Sequence, residues 1–268
     1  YGGTPAYLHT LQAQQSLKEN ILDGILSRGS FLYDEVRFVL QQELREPRNY
    51  FAILQAIAAG KTRLNEIKQA TGIEGATAYL DTLQQLHLVE RLVPVTETQP
   101  QKSRRGIYRL KDHYLRFWFR YVHPNRSQLE RGGAQIVLEN QVIPEIDHFS
   151  SLTFEEVCQQ FFWQSGLTGK LPFVPTNIGN WWNANEEIDL AVLGEEDAIL
   201  VECKWTSKPV GIDILAELER KEQIVGPELG DRRIHFALCS RSGFTSQLTE
   251  DTKHRQDLTL LNLQEIVG

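Results

Sequence analysis

One stretch of sequence decides the fold of the C-terminal half of the chain: EEIDLAVLGEEDAILVECKW, from Glu186 to Trp205. Two apolar runs in this stretch, Glu187 to Leu193 and Ala198 to Lys204, are separated by a short acidic turn that contains a glycine. Apolar runs of this length on either side of such a turn are typical of two antiparallel strands. The stretch therefore predicts a β-hairpin.

Charged residues follow the apolar part of the second strand. Because side chains alternate between the two faces of a strand, Glu202 and Lys204 are expected on one face and Cys203 on the other. Charges in a buried strand are costly unless they are paired or bound to a metal ion. Asp189 on the neighbouring strand can reach the same face, and two carboxylates there form a hard oxygen site suited to Mg²⁺ or Mn²⁺.

Such a site gives each of these residues a role. The expected metal ligands are the Asp189 and Glu202 carboxylates and the backbone carbonyl of Cys203. Lys204 is expected to hold and orient a metal-activated water for attack on phosphorus. The alternative is a structural ion pair, in which the same charges neutralise one another.

The sequence around the hairpin alternates between helical and strand-like patterns. The predicted elements are a helix from Thr153 to Gln164, a strand from Leu171 to Val174, a helix from Ile212 to Val225 and a strand from Arg233 to Cys239. This alternation predicts an α/β (α+β) domain with a mixed sheet flanked by helices. We place the domain at residues 127–268, with Ser127 to Ile146 as a polar connector at its start.

The N-terminal half predicts helices and then a winged helix-turn-helix domain. Apolar residues at helical spacing predict a helical segment over residues 1–44. Residues 45–126 predict three short helices and then two strands, Leu88 to Val95 and Ile107 to Leu110, which is the order of a winged helix-turn-helix domain. The aromatic helix that follows, Asp112 to Val122, is expected to pack in the core rather than stack on bases.

A winged helix at this position would contact DNA mainly through its wing. Lys102, Arg104 and Arg105 lie in the predicted wing and are expected to contact phosphates, while Glu74 to Asp81 of the third helix would face the major groove. Residues 45–126 carry 14 Lys and Arg against 7 Asp and Glu, a net charge of +7 that leaves −14 for the remainder of the chain. The alternative is a winged helix that serves as a spacer between proteins.

Length and composition predict a soluble protein rather than a membrane protein. The 268 residues are 41% hydrophobic and 24% charged, and no apolar stretch approaches the roughly 18 residues of a membrane span. The chain starts without the features of a signal peptide, so we expect a cytoplasmic protein. Its three cysteines, Cys158, Cys203 and Cys239, match no CxxC or Cys/His ligand spacing, which predicts reduced thiols.

Two further patterns do not predict sites. The run Ala59-Gly60-Lys61-Thr62 ends like a P-loop, but Gln55 stands where that motif needs glycine, and the preceding run is helical rather than a strand. We therefore expect no nucleotide to be bound by this chain. The seven histidines show no HxxxH or HxH spacing, so none is expected to bind metal or act in catalysis.

The arrangement of Asp189 and Glu202-Cys203-Lys204 resembles the motif of the PD-(D/E)xK nucleases. Many members of that superfamily carry another acidic residue on the preceding helix, and Glu156 in Phe154-Glu155-Glu156-Val157 matches it. Ile188 stands where the motif usually has proline. The resemblance implies a Mg²⁺-dependent or Mn²⁺-dependent endodeoxyribonuclease whose catalytic residues are Glu156, Asp189, Glu202 and Lys204.

Over essentially its whole length the chain also resembles the C-terminal half of archaeal-type ATPases, in which an AAA-like ATPase precedes a winged helix and a nuclease-like module of unknown function. The opening, Gly2 to Leu8, is similar to the end of the ATPase lid. The other matching stretches are Leu115-Arg116-Phe117-Trp118-Phe119, Trp181-Trp182 and Glu202-Cys203-Lys204-Trp205. The resemblance implies an upstream ATPase core as a partner.

Three functional hypotheses follow from these patterns. In the first, the winged helix positions duplex DNA and the sheet domain cleaves a phosphodiester bond. In the second, the nuclease fold is a catalytically inactive scaffold that binds DNA, and in the third the chain is an interaction module that regulates an upstream ATPase. A homo-oligomer is compatible with each of them. Mg²⁺-dependent nicking of plasmid DNA separates the first hypothesis from the others.

Overall fold

The computed structural model describes residues 2–44 and 47–268, and the chain divides into two compact units. The first unit comprises the chain up to Leu92 together with Gly106–Ile146, and the second comprises Val93–Arg105 together with Asp147–Gly268. The sequence placed domain boundaries at residues 45 and 127, and residue 45 lies outside the described residues. The structure groups the N-terminal helical segment with the three helices and the hairpin, and it groups the loop between the hairpin strands with the large sheet.

The first unit consists of short helices and one hairpin. Its helices are α1 (Pro5–Leu8), α2 (Leu17–Ile21), α3 (Phe31–Glu43), α4 (Pro47–Ala58), α5 (Leu64–Thr71), α6 (Ala76–Gln85), α7 (His113–Phe117), α8 (Arg126–Leu129) and α9 (Ala134–Val137), with π-helical turns at Leu22–Leu26, Trp118–Val122 and Leu138–Val142 and a 3₁₀ turn at Ile143–Glu145. Strands β1 (Val89–Leu92) and β2 (Ile107–Leu110) pair antiparallel. The predicted order, three helices α4 to α6 followed by a hairpin, is present.

The aromatic segment after this hairpin packs in the core, as predicted. Its buried aromatic side chains are Tyr114, Phe117, Trp118, Phe119 and Tyr121. The Trp118 indole also donates a hydrogen bond to the carbonyl of Tyr33 at 2.8 Å. The segment that follows, predicted as a connector, is helical instead. Its apolar residues Val137, Leu138 and Val142 are buried, and helical turns satisfy the backbone groups that are buried with them.

The second unit is a mixed five-stranded sheet with helices, which confirms the predicted mixed α/β fold class. Its elements are a 3₁₀ turn at Pro100–Lys102, α10 (Ile146–Leu167), β3 (Asn177–Trp182), β4 (Glu187–Leu193), β5 (Asp197–Lys204), α11 (Ile212–Leu229), β6 (Arg233–Ser240), α12 (Ser246–Thr252), β7 (Leu258–Asn262) and α13 (Leu263–Val267). No helix in the described part of either unit combines the length and apolarity needed to cross a membrane.

The strands lie in the order β3-β4-β5-β6-β7. Strand β4 pairs antiparallel with β3 and β5, which confirms the predicted hairpin, whereas β5, β6 and β7 run parallel and are connected by α11 and α12. The strand predicted at Leu171 to Val174 is wrong, because Pro172 and Pro175 offer no N–H to a ladder, and the edge strand is β3 instead. Strand β7 was not predicted.

The two faces of the large sheet carry separate cores. Helix α10 covers one face, with the buried side chains Phe154, Cys158, Phe162, Val192, Val201 and Cys239. Helix α11 covers the other face, with the buried side chains Trp181, Ile188, Leu200, Leu215, Leu218 and Leu238. Strand β5 lies between the two cores, and all of its residues except Lys204 are buried. This double burial explains its nearly continuous apolar sequence.

The loop from Val93 to Arg105 is fastened within the second unit by hydrogen bonds. The Val95 N–H donates to the carbonyl of Asn180 at 2.9 Å. The Arg105 guanidinium forms ion pairs with Glu97 at 2.7 Å and with Glu228 of α11 at 3.0 Å. Glu228 also accepts a hydrogen bond from the Trp181 indole at 3.1 Å. Glu97 and Glu228 thus hold the Arg105 side chain, and the Trp181 indole holds Glu228.

Candidate active site

The candidate site begins where the ladder between β4 and β5 ends. The last backbone pair in this ladder is Leu190 opposite Val201, so Asp189 and Glu202 lie just beyond it. There the Cys203 N–H donates to Oδ2 of Asp189 at 2.7 Å. The Asp189 carboxylate therefore takes the place of a strand carbonyl, and β4 and β5 separate at this point.

A change of face in β4 positions Asp189. Ile188 packs in the core on the α11 side, whereas Leu190 packs in the core on the α10 side, although residues two apart in a regular strand share a face. The neighbouring strand β3 has a matching irregularity between Gly179 and Trp181. Within it, the Asn180 side chain donates a hydrogen bond from Nδ2 to the Asp189 carbonyl at 2.6 Å. Asp189 is thus held through both its backbone and its side chain.

Glu202 lies between two lysines. Lys204 Nζ is 2.5 Å from Oε1 of Glu202, and Lys221 Nζ is 3.2 Å from Oε2. Glu202 and Lys221 are buried, with relative exposures of 7% and 8%. The structure thus brings Glu202 and Lys204 together as the strand alternation predicts, and it adds Lys221 from α11. Lys221 was not predicted as a site residue, because its position depends on the packing of α11 against β5.

The electrostatics of the site raise the pKa of one carboxyl group. Burial, and then the nearby Glu202 carboxylate, raise the pKa of Asp189 to about 7, although Lys204 and Lys221 oppose the rise. Burial works against the charged form of Lys204, but Glu202 and Asp189 raise its pKa nonetheless. Two carboxyl groups and two ammonium groups therefore share one small region, and their formal charges balance when Asp189 is ionised.

The donor set fits a hard divalent cation. Oδ2 of Asp189 accepts from Cys203, while Oδ1 receives no hydrogen bond from the residues that the structure describes. A carboxylate oxygen in this position, beside a second carboxylate, is the kind of ligand that Mg²⁺ prefers. Glu202 can share its oxygens between a cation and the two lysines, since each carboxylate oxygen has two lone pairs. The Cys203 carbonyl remains a predicted ligand.

The preceding helix is linked to the site through Glu155. Its Oε2 lies 3.4 Å from Nδ2 of Asn180, the group that also donates to the Asp189 carbonyl. The sheet-facing side of α10 carries Phe154 and Cys158. Successive helical residues are rotated by about 100°, so the Cα position of Glu155 lies about 100° from that of Phe154 and the Cα position of Glu156 about 200°. The assignment of Glu156 to the site stays a prediction from the motif.

The predicted phosphate-contacting residues fall into two groups. Lys102 and Arg104 are exposed in the loop of the second unit. Arg105 is half-buried, and its guanidinium is engaged by Glu97 and Glu228, with a further hydrogen bond to the Trp182 carbonyl at 3.3 Å. Hydrogen bonding to Glu228 raises the pKa of Arg105. Its guanidinium is thus used within the fold.

The three cysteines converge, which the sequence did not predict. Cys158 of α10, Cys203 of β5 and Cys239 of β6 are buried free thiols, and their sulfur atoms all lie within 4.8 Å of one another. Cys203 and Cys239 are register partners on adjacent parallel strands. Hydrogen bonds from the Cys203 and Cys239 thiols lower the pKa of Cys158 to about 5. Their spacing in the sequence concealed the cluster because each cysteine belongs to a different element.

Comparison with known proteins found one family profile that matches the part of the chain with the candidate carboxylate site. Residues 118–223 match the profile of DUF234, described as "Archaea bacterial proteins of unknown function". The matched range includes Asp189, Glu202, Lys204 and Lys221. The chain is also 35% identical over 242 residues to the uncharacterized protein MJECL04 of Methanocaldococcus jannaschii. This alignment covers 88% of the chain and 52% of the relative, so the chain spans about half the length of that protein.

Two solved structures show a weak likeness to the chain. Can2 from Sulfobacillus thermosulfidooxidans, solved in complex with cyclic tetra-adenylate, is 12% identical with a TM-score of 0.28, and the match covers 85% of this chain and 52% of Can2. Protein VC1899 from Vibrio cholerae is 14% identical with a TM-score of 0.28, and the match covers 94% and 54% of the two chains. A likeness of this size supports no assignment of function.

We expect Asp189→Asn to stabilise the metal-free protein increasingly as the pH rises. The folded carboxyl keeps its proton up to about pH 7, whereas the unfolded one ionises near pH ~3.9, so between these values the unfolded state binds fewer protons and the stability falls with pH. Asn does not ionise and still offers an oxygen to the Cys203 N–H. In urea titrations with EDTA, the variant's advantage should grow from about pH 4 to about pH 7 and then stay constant.

Asp197→Asn, at the other end of β5, is a control for which we expect the opposite effect on stability as the pH changes. Hydrogen bonds from His235 and then Arg233 lower the pKa of Asp197, so its ionised form stabilises the fold at neutral pH and this contribution is lost as the pH falls through the lowered value. The variant should therefore be less stable than the wild type at neutral pH. If Asp189→Asn showed the same pH trend as Asp197→Asn, the raised pKa of Asp189 would be wrong.

Proposed function

We propose that the second unit is a metal-dependent phosphodiesterase that cleaves DNA. The observation that carries this proposal is the Asp189 carboxylate, which is fixed by the Cys203 N–H at the end of the ladder, lies near Glu202 and Lys204, and has an Oδ1 that receives no hydrogen bond from the described residues. A structural ion pair of Glu202 with the lysines leaves Oδ1 of Asp189 without a role, whereas a divalent cation would use it as a ligand.

The residues would divide the work of hydrolysis as follows. Asp189, Glu202 and the Cys203 carbonyl would hold Mg²⁺ or Mn²⁺, which supplies an activated water and neutralises charge on the phosphate. Lys204, whose raised pKa keeps it protonated, would orient that water and stabilise the negative charge that develops on the phosphate oxygens. Lys221 would hold Glu202 in place from the α11 side, because its ammonium group is 3.2 Å from Oε2.

The charge balance supports an electrostatic role for the cation in binding substrate. Asp189 and Glu202 offset Lys204 and Lys221, so the empty site attracts an anion weakly, and the chain as a whole carries a net charge of −7. A bound divalent cation would leave the region with two positive charges. Substrate phosphate and metal are therefore expected to bind cooperatively, since each reduces the electrostatic cost of the other.

The main rival is a catalytically inactive scaffold. It is favoured by the same two ion pairs, because Glu202 already has an ammonium partner on each oxygen and the group is neutral without a metal. In this case the fold would bind DNA or regulate an upstream ATPase core, as the resemblance to archaeal-type ATPases implies. The match to about half of a longer relative is compatible with such a core. Metal binding separates the two proposals.

For DNA binding we propose Lys102 and Arg104 as phosphate contacts. Both are exposed, as phosphate contacts need to be. We further propose that α4 to α6 with the hairpin β1–β2 form a winged helix-turn-helix that contacts duplex DNA. Arg105 contributes differently, by holding the loop to Glu97 and Glu228.

Substitutions in the site should separate metal binding from cleavage. Asp189→Asn should abolish Mn²⁺ binding and plasmid nicking, because an amide brings no negative charge to the cation. Lys204→Ala should keep Mn²⁺ bound but lower nicking by ~100-fold or more, the order found when one preorganised group that stabilises the transition state is removed. Isothermal titration with Mn²⁺ and a supercoiled-plasmid assay measure the two effects.

The scaffold proposal makes the opposite forecast for the same variants. Removing either partner of a buried ion pair strands a charge and costs on the order of 3 to 5 kcal/mol, so Lys204→Ala and Lys221→Met would both melt early. Early melting of both, together with a wild type that neither binds Mn²⁺ nor nicks DNA, would end the enzyme proposal. A wild type that binds Mn²⁺ with one equivalent per chain would end the scaffold proposal.

A matched pair on α10 tests which acidic residue serves the site. Glu155→Gln and Glu156→Gln remove the same charge from adjacent positions of one helix. Because Glu155 lies 3.4 Å from Asn180 Nδ2, we expect its variant to lower nicking more than the Glu156 variant does. Nicking rates at saturating Mn²⁺ measure the difference. A larger loss for Glu156→Gln would favour the assignment from the motif and contradict the one from helix geometry.

A second pair of variants tests the loop. Lys102→Ala with Arg104→Ala should weaken binding to duplexes of any sequence and flatten its salt dependence by about one unit of slope per lost phosphate contact. Arg105→Ala should instead lower thermal stability, since Glu97 and Glu228 lose their partner. Fluorescence anisotropy over a salt series measures the first effect. Unchanged affinity of the double variant would remove Lys102 and Arg104 from the proposed DNA interface.

A further inference from the structure

The three thiols on the α10 side of the sheet form a cluster that the proposed phosphodiesterase does not use. Cys158, Cys203 and Cys239 come from a helix and two adjacent strands, and their relative exposures are 0%, 6% and 0%. The side chains around them, including Phe154, Phe162 and Val201, are apolar. The three thiols therefore lie in an otherwise apolar part of the core.

The separation of the sulfur atoms is close to what a single metal ion needs. A metal–sulfur bond of about 2.3 Å puts sulfur ligands about 3.8 Å apart in a tetrahedral site and about 4.0 Å apart in a trigonal one. The three sulfur atoms already lie within 4.8 Å of one another. The fold therefore brings three sulfur ligands near to the spacing that one metal ion needs.

We propose that Cys158, Cys203 and Cys239 form a three-sulfur site for a soft, thiophilic metal ion. Thiolate ligands select soft ions such as Cu(I) and Cd²⁺ over hard ions such as Mg²⁺. Within residues 2–44 and 47–268, no His, Asp, Glu or further Cys joins this group, which disfavours the four-ligand arrangement of structural zinc. An ion that accepts three sulfur ligands suits the cluster best.

The sulfur ligands of this site differ from the oxygen ligands of the carboxylate site, although Cys203 belongs to both regions. The Cys203 side chain points to the α10 face, while its N–H donates to Asp189. A soft ion would bind to sulfur and release the thiol protons to solvent, with no change of oxidation state. The test of the three-sulfur site therefore does not depend on whether the protein cleaves DNA.

The test uses Cd²⁺ as the probe and the whole chain in its reduced state. Because the thiols are buried, the protein is refolded with Cd²⁺ and a phosphine reductant in the presence of excess Mg²⁺, and then dialysed. We expect one Cd²⁺ retained per chain, ultraviolet absorption from sulfur-to-cadmium charge transfer, and three sulfur neighbours by X-ray absorption at the cadmium edge. Cys158→Ala and Cys239→Ala should each lose the retained ion, with folding checked by circular dichroism.

Asp189→Asn is the matched control, because it removes a ligand of the carboxylate site and leaves all three thiols in place. It should retain Cd²⁺ like the wild type. Three results would overturn the proposal: a wild type with three titratable thiols that retains no Cd²⁺, oxygen or nitrogen neighbours in place of sulfur, or full retention by Cys158→Ala. If a cysteine variant does not fold, the count of sulfur neighbours in the wild type decides the question.

Discussion

One hydrogen bond, from the Cys203 N–H to the Asp189 carboxylate, turns the end of a β-ladder into a site. Up to Leu190 and Val201 the hairpin is an ordinary antiparallel pair, with its hydrogen-bonding capacity used by the backbone. Beyond that pair, a buried N–H has to find another acceptor, because leaving it unpaired is costly. The side chain of Asp189 supplies the acceptor. The end of the backbone pairing between β4 and β5 follows from this exchange.

The second constraint is charge. Burial, and then the neighbouring Glu202 carboxylate, disfavour the ionised form of Asp189, which is why its pKa rises. Lys204 and Lys221 limit the rise in the pKa of Asp189, and their ion pairs with Glu202 reduce the free-energy cost of burying its charge. In the proposed metal site, a bound cation would favour the ionised form of Asp189, which burial disfavours in its absence. Stability without metal and the proposed metal binding therefore place opposite demands on Asp189.

The parts of the fold that the sequence predicted well are those in which local pattern decides structure. The hairpin β4–β5 has apolar runs and a turn within one short stretch, and the ion pair of Glu202 with Lys204 follows from strand alternation. The strand predicted at Leu171 to Val174 was wrong because Pro172 and Pro175 cannot donate backbone hydrogen bonds, although the run contains apolar residues. Lys221 and Glu155 depend on how helices rotate against the sheet, and three cysteines in separate elements meet through packing alone. The spacing of these residues in the sequence does not indicate the contacts that they make.

Alternation along β5 also has a chemical consequence. The strand presents Glu202 to one face and the Cys203 sulfur to the other, so hard oxygen ligands and soft sulfur ligands are separated by the sheet itself. Hard ions prefer carboxylates and soft ions prefer thiolates. Because Glu202 and the Cys203 sulfur lie on opposite faces of β5, they cannot bind the same ion. In the two sites proposed above, the alternation of Glu202, Cys203 and Lys204 would therefore keep the Glu202 carboxylate apart from the Cys203 thiol, and Cys203 would contribute its carbonyl to one site and its sulfur to the other.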